Sequence, residues 1–210
     1  MKILIKNTRK PGLPAGAVLV AALLLLSLTV SAQDSFPDFY TQNIKINNTG
    51  MYILGSWAVL NMATGAYGWS EYSGDRMYFN QMNLFWNVVN VSIAGFALYS
   101  NYTGDISGFS QQELMEKLVK TENILLINAG LDVGYIGTGF LLRHLSGKSD
   151  KRADLLKGYG SSLILQGGFL LVFDLVLYGV LRADRMDFLN NVNMAMLPDG
   201  FMIGLSIPVY

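Results

Sequence analysis

Four stretches of this chain, near residues 50–69, 79–100, 123–143 and 158–182, are free of Lys and Arg until their last residues. At 1.5 Å of rise per helical residue, each is long enough to cross about 30 Å of hydrocarbon. The expected fold is therefore an all-α membrane protein, a four-transmembrane-helix bundle built from two helical hairpins and preceded by a signal peptide. The short connection "SEYSGDRMY" folds spans one and two into one hairpin, and "SGKSDKRADLLK" folds spans three and four into the other. The longer middle connection contains "SQQELMEKLVK", where Ser110 and Glu113 have capping-box spacing and Leu114, Leu118 and Val119 give one apolar edge. This segment is expected as a helix lying on the membrane surface, or equally as a plain capped loop helix.

Composition agrees with a membrane class. Hydrophobic residues make up 51% of the chain and charged residues 14%, against about 25% charged in a soluble domain. The formal net charge of zero gives no field to draw nucleic acid, so a nucleic-acid partner is not expected. Cysteine is absent, which removes disulfides, thiolate metal sites and cysteine nucleophiles, and the single histidine, His144, cannot by itself build a metal or haem site. No cofactor and no metal are expected.

Residues 1–32 read as a secretory signal: Lys2, Lys6, Arg9 and Lys10 precede the apolar run "AVLVAALLLLSLTV", and small residues end at Ala32. An uncleaved anchor is the competing reading, and both export the chain beyond residue 32. Residues 33–49 are expected as an exposed, extended lead-in, 50–182 as the four-helix transmembrane domain, and 183–210 as a periplasmic tail. Arg143, Lys148, Lys151, Arg152 and Lys157 cluster after span three, so that loop is expected in the cytoplasm. An exported amino terminus places it there independently. The protein is thus expected in the cytoplasmic (inner) membrane, multi-pass, with both mature termini periplasmic. Arg182 and Arg185 sit on the outer side of span four and run against this rule.

Each span carries a polar side. In "FNQMNLFWNVVN", Asn80, Asn83, Asn87 and Asn90 are spaced three, four and three, so they occupy one helical face, with Trp86 beside them. Span three repeats the pattern with Asn128, Asp132 and Tyr135. Span four does so with Ser162, Gln166, Asp174 and Tyr178, and span one more weakly with Trp57, Asn61 and Gly68. Polar groups in hydrocarbon are costly without partners, so the stripes are expected to converge in one layer near the bilayer midplane. The asparagines then serve as interhelical glue or as a site. Gly130, Gly134, Gly137, Gly167 and Gly168 are expected to allow close helix approach.

The aspartates weigh more. A carboxyl at mid-span costs roughly 2.5 to 3.5 kcal/mol on insertion scales, and none of the Lys or Arg residues lies at a depth to neutralise Asp132 or Asp174. The ligand- or ion-binding candidates are therefore Asn61, Asn83, Trp86, Asn87, Asn90, Asn128, Asp132, Tyr135, Gln166, Asp174 and Tyr178. No nucleophile elbow, metal-ligand set or phosphate loop accompanies them, so no catalytic residues are assigned. Three roles stay open: a non-enzymatic membrane protein whose polar pocket takes a small ligand, an ion or a partner helix; a proton- or cation-coupled transporter subunit; and, with least support, an intramembrane enzyme. The expected partners are the lipid bilayer, a small ligand or ion, and a second copy or another membrane protein.

The runs "YFNQMNLFWNVVN", "NAGLDVGYIGTGFLLRH" and "KGYGSSLILQGGFLLVFDLVLYG" resemble an uncharacterised family of exported multi-pass membrane proteins of Bacteroidota, a domain of unknown function. The resemblance covers roughly residues 50–182 and implies a Gram-negative host and the topology above. It implies no activity.

Overall fold

The computed structural model describes residues 35–195 of the chain, with side chains to residue 192. The expected signal segment 1–32 and the last part of the expected tail, 196–210, lie outside the described residues. The described part is all-helical: α1 (Phe36–Glu71), α2 (Gly74–Thr103), α3 (Gln111–Ser146) and α4 (Ala153–Ala195). Chain neighbours pack most extensively, α1 on α2 and α3 on α4, and the contact of α2 with α4 joins the two pairs. The connection from α1 to α2 is only Tyr72 and Ser73, and Gly74 takes up the reversal at φ +61°, a left-handed backbone that a side chain would strain.

Three of the four helices, α2, α3 and α4, are long and apolar enough to cross a membrane. α1 falls short of that measure, because Asn61, Thr64 and several Gly, Ser, Trp and Tyr residues dilute the stretch expected as span one. The surface of the helices is nevertheless apolar along its length. Leu60, Val89, Phe96, Ile127, Val133 and Phe140 are all exposed, Phe96 to 75%, while Asn83, Asn87, Asn90, Asp132, Ser162 and Gln166 are buried. A water-soluble fold has the opposite arrangement, and an apolar belt of this extent marks contact with lipid or protein.

The helices extend well past the apolar runs on one side, and three expectations change there. Residues 36–49, expected as extended and exposed, form the first turns of α1, opened by Ser35 and Pro37. They bury Phe39, Tyr40, Asn43, Asn47 and Asn48. The asparagines in this stretch read as loop formers, yet they share a face with the aromatics at helical spacing. The segment 111–122 is not a separate surface helix. It is the start of α3, opened by the expected Ser110–Glu113 capping box, and it buries Leu114 and Leu118 inward. Residues 183–195 of the expected tail simply continue α4.

Two cores result from this length. The inner one holds Met51, Leu54, Ala94, Leu125, Phe173, Leu177 and Leu181. The other closes the outer extension with Phe39, Tyr40, Leu114 and Leu118, and there the Phe39 and Phe188 rings stack at 4.2 Å.

Candidate functional site

The polar faces do meet, but as two groups instead of one layer. The first is an amide network across α1, α2 and α4. Trp57 Nε1 donates to Gln166 Oε1 at 3.1 Å, and Gln166 Nε2 donates to Asn83 Oδ1. Asn83 Nδ2 donates to Asn61 Oδ1 at 3.0 Å, and Asn61 Nδ2 returns to the Trp57 carbonyl at 2.8 Å. The circuit is closed. Along α2 it continues: Asn87 Nδ2 donates to the Asn83 carbonyl at 2.8 Å and Asn90 Nδ2 to Asn87 Oδ1 at 3.3 Å. Gln166 and Asn87 have no exposed surface, so each bond removed would strand a buried amide at about 1 to 3 kcal/mol. The Trp57 ring is fixed from the other side by Phe169, stacked at 3.9 Å.

The second group is Asp132 on α3 and Asp174 on α4, two carboxyls near enough for each to act on the other's charge. Both are buried. α4 can come this close because Gly167 faces the Asp132 carbonyl, where a Cβ would stand only 3.0 Å away. Asp132 Oδ2 is buried without a hydrogen-bond partner, and so are Trp86 Nε1 and Ser162 Oγ. Trp86 packs edge-on against Tyr135 at 4.7 Å, and Tyr135 lies one turn along α3 from Asp132. Among the described residues α2, α3 and α4 thus each hold one such buried, unpartnered polar atom.

Of the other expected site residues, Asn128 is half-buried and makes no hydrogen bond among the described residues. Tyr178 accepts a 2.5 Å bond from Arg182 Nη1 and packs against the inner core. Asn80 turns away from the stripe to the Arg76 carbonyl one turn back on its own helix. The glycine expectation is corrected: Gly130, Gly134, Gly137 and Gly168 have open space where a Cβ would go, whereas Gly139 and Gly160 face each other at the α3–α4 crossing. Among the described residues no three His, Cys, Asp or Glu side chains gather as a metal-ligand set.

Several polar groups are not legible in the sequence. Glu122 and Arg185 form a buried bidentate pair at 2.7 and 2.8 Å. Asn101 Nδ2 bridges Asn47 Oδ1 and Asn48 Oδ1 at 2.9 and 2.7 Å, and Asn43 Nδ2 reaches Asp184 at 3.0 Å. Their signal is weak because each lies at the margin of an apolar run, where polar residues are ordinary. The two arginines expected to run against the charge rule are engaged by these contacts: Arg185 is held by Glu122 and Arg182 by Tyr178.

No curated protein and no solved structure matches the chain. Residues 53–175, which contain the amide circuit, Asp132 and Asp174, match a family of unknown function, and the chain belongs to that family, DUF6992.

Proposed function

We propose that the chain is a non-enzymatic integral protein of the cytoplasmic membrane that crosses it four times as two helical hairpins, and that the Asp132–Asp174 pair is its binding element for a small ligand or ion. The observation behind this reading is the burial of two neighbouring carboxyls, one with an oxygen left unpartnered, inside helices whose outer surface is apolar. Two carboxyls without an internal cation are completed by a proton, a bound cation or a donor on a ligand. The nearest arginines along α4 are engaged elsewhere. The indole N–H of Trp86, whose ring packs on Tyr135 one turn from Asp132, is a further buried donor without a partner. The amide circuit has the other role: with its members bonded to each other, it is interhelical glue.

The test is to purify the wild type, Asp132→Asn and Asp174→Asn in detergent, then examine retained small molecules by native mass spectrometry and thermal midpoints against a series of monovalent cations. Wild type is expected to retain a small molecule or to be stabilised by one cation, and Asp132→Asn to lose that response while remaining folded. Identical behaviour of all three would overturn the assignment.

The burial of the two neighbouring acids also supports a second reading, a subunit of a proton- or cation-coupled transporter. Four spans are few for a carrier, so this reading requires a dimer. Flux in proteoliposomes that is unchanged in the Asp132→Asn/Asp174→Asn double variant would remove it.

A further inference from the structure

At the end of the molecule where α2 and α4 begin, a cavity of about 380 Å³ opens among Tyr72, Asp75, Arg76, Phe79, Asn80 and Ser161. Gly158 forms part of its wall, and a Cβ there would stand 2.7 Å from the Phe79 nitrogen, so the bare backbone of α4 is what lets it abut the start of α2. The one carboxylate lining the cavity is already used: Asp75 Oδ2 is 2.7 Å from Lys157 Nζ. Arg76, held over the Tyr72 ring at 5.9 Å, makes no ion pair among the described residues. Nor does Arg143, whose Nη1 donates to Ser161 Oγ at 3.3 Å on the cavity wall.

We infer that this cavity is a binding site for a phosphate-bearing anion. The Arg76 guanidinium lines the cavity without a carboxylate hydrogen-bond partner and supplies a planar pair of donors that matches phosphate oxygens, while Arg143 reaches the wall through Ser161. The hydroxyl of Tyr72 adds a neutral donor, that of Ser161 being committed to the Lys157 carbonyl at 2.8 Å, and the start of α2 adds the positive end of a helix dipole. The Phe79 and Tyr72 rings form an apolar side suited to the carbon portion of an ester. A volume of this size holds a headgroup and not a whole lipid. Basic pockets between the cytoplasmic ends of spans hold anionic headgroups, and the exposed Lys148, Lys151 and Arg152 raise the local concentration of such anions. The chemistry is shared by a phospholipid headgroup and by a free phosphate. The inference rests on this cavity and not on the mid-span carboxyls, so Asp132→Asn leaves it untouched.

The experiment uses the full chain, delipidated in detergent, with phosphatidylglycerol, phosphatidylcholine and inorganic phosphate as separate probes, read by native mass spectrometry and thermal midpoint. Saturable binding of phosphatidylglycerol over phosphatidylcholine is expected if the source is lipid, and binding of inorganic phosphate with competition between the two anions if it is soluble. In either case Arg76→Gln weakens binding on the order of tenfold, the effect of losing one charged hydrogen-bond partner. Arg76→Lys retains part of it, and Lys120→Gln at the other end retains all. Arg76 is exposed, so its replacement is expected to leave folding intact. Equal binding of the two lipids together with indifference to phosphate, or wild-type binding by Arg76→Gln/Arg143→Gln, would overturn the site.

Discussion

Glu122 and Arg185 show what a single side chain can decide in this molecule. Their side chains are 3% and 13% exposed and bonded through both carboxylate oxygens, so neither charge has water to fall back on. Replacing Glu122 by Gln leaves a buried guanidinium facing a neutral amide, and breaking such a pair costs about 3 to 5 kcal/mol. The expected outcome is a clear fall in thermal midpoint for Glu122→Gln and recovery of most of it in Glu122→Met/Arg185→Met, because well-packed apolar replacements remove the need for pairing. Equal midpoints for wild type and the single variant would show the pair to be dispensable. The sequence can reveal the asparagines of α2 because spacings of three and four repeat within one helix. It cannot reveal a pair separated by 63 positions, since periodicity gives the face of one helix and says nothing of its partner. The same limit hides Asn101 against Asn47 and Asn48, and it lets Asp132 be identified as a candidate while its nearness to Asp174 stays open.

At the scale of the helix, glycine makes the same point. Gly130 and Gly134 have the spacing of a close-packing motif, yet a Cβ at either meets open space, while one at Gly139 would stand 2.6 Å from the Gly160 carbonyl oxygen. Gly139→Ala is therefore expected to push α3 off α4 and cost about 1 to 3 kcal/mol, as overpacking does. Gly134→Ala should be neutral or slightly stabilising, since Ala is the better helix former. A denaturation series in detergent that ranked the two variants the other way would contradict the α3–α4 crossing at Gly139 and Gly160. The start of α3 carries a second test. Ser110's backbone N–H donates to Glu113, and this holds the Glu113 carboxyl below its ordinary range. A depressed folded-state value means that the carboxylate's contribution is fully present above the ordinary range and is lost as pH falls through the folded value. Amide exchange in the first turn of α3 should accordingly speed up relative to the rest of that helix as the medium is acidified through that window, and Glu113→Gln should abolish the pH dependence. Capping-box spacing is readable locally, which is why the helix start is legible in the sequence. Its continuation into the span is not, because polar residues between 111 and 122 break the apolar run without breaking the helix.

For the whole molecule the open question is how many helices cross and in which direction. The Lys157–Asp75 bridge and the approach of Gly74 to Asp154 bring the two short connections to one end, so Arg76, Arg143, Lys148, Lys151, Arg152 and Lys157 gather there. The other end carries Asp38, Asp105, Glu113 and Glu116 among its charges. By the bias of basic residues toward the cytoplasm, the first end is the one that the proposed topology turns inward. α1 is the helix whose apolar content is insufficient by itself, but its 36 residues, at 1.5 Å each, pack along α2, and the proposed topology takes it through the same depth. A polar helix of this kind is tolerated because Asn61 and Trp57 turn their polar atoms to Asn83 and Gln166 and leave Val59 and Leu60 outside. The chain has no cysteine, so single substitutions report without background. Ser35→Cys and Ser107→Cys are expected to react with a membrane-impermeant maleimide from the periplasmic side, and Ser73→Cys and Gly147→Cys only after the membrane is opened. Opposite labelling of positions 73, 107 and 147 establishes that α2 and α3 cross. Labelling of 35 and 73 from the same side would mean that α1 does not, and the four-span topology would give way to three.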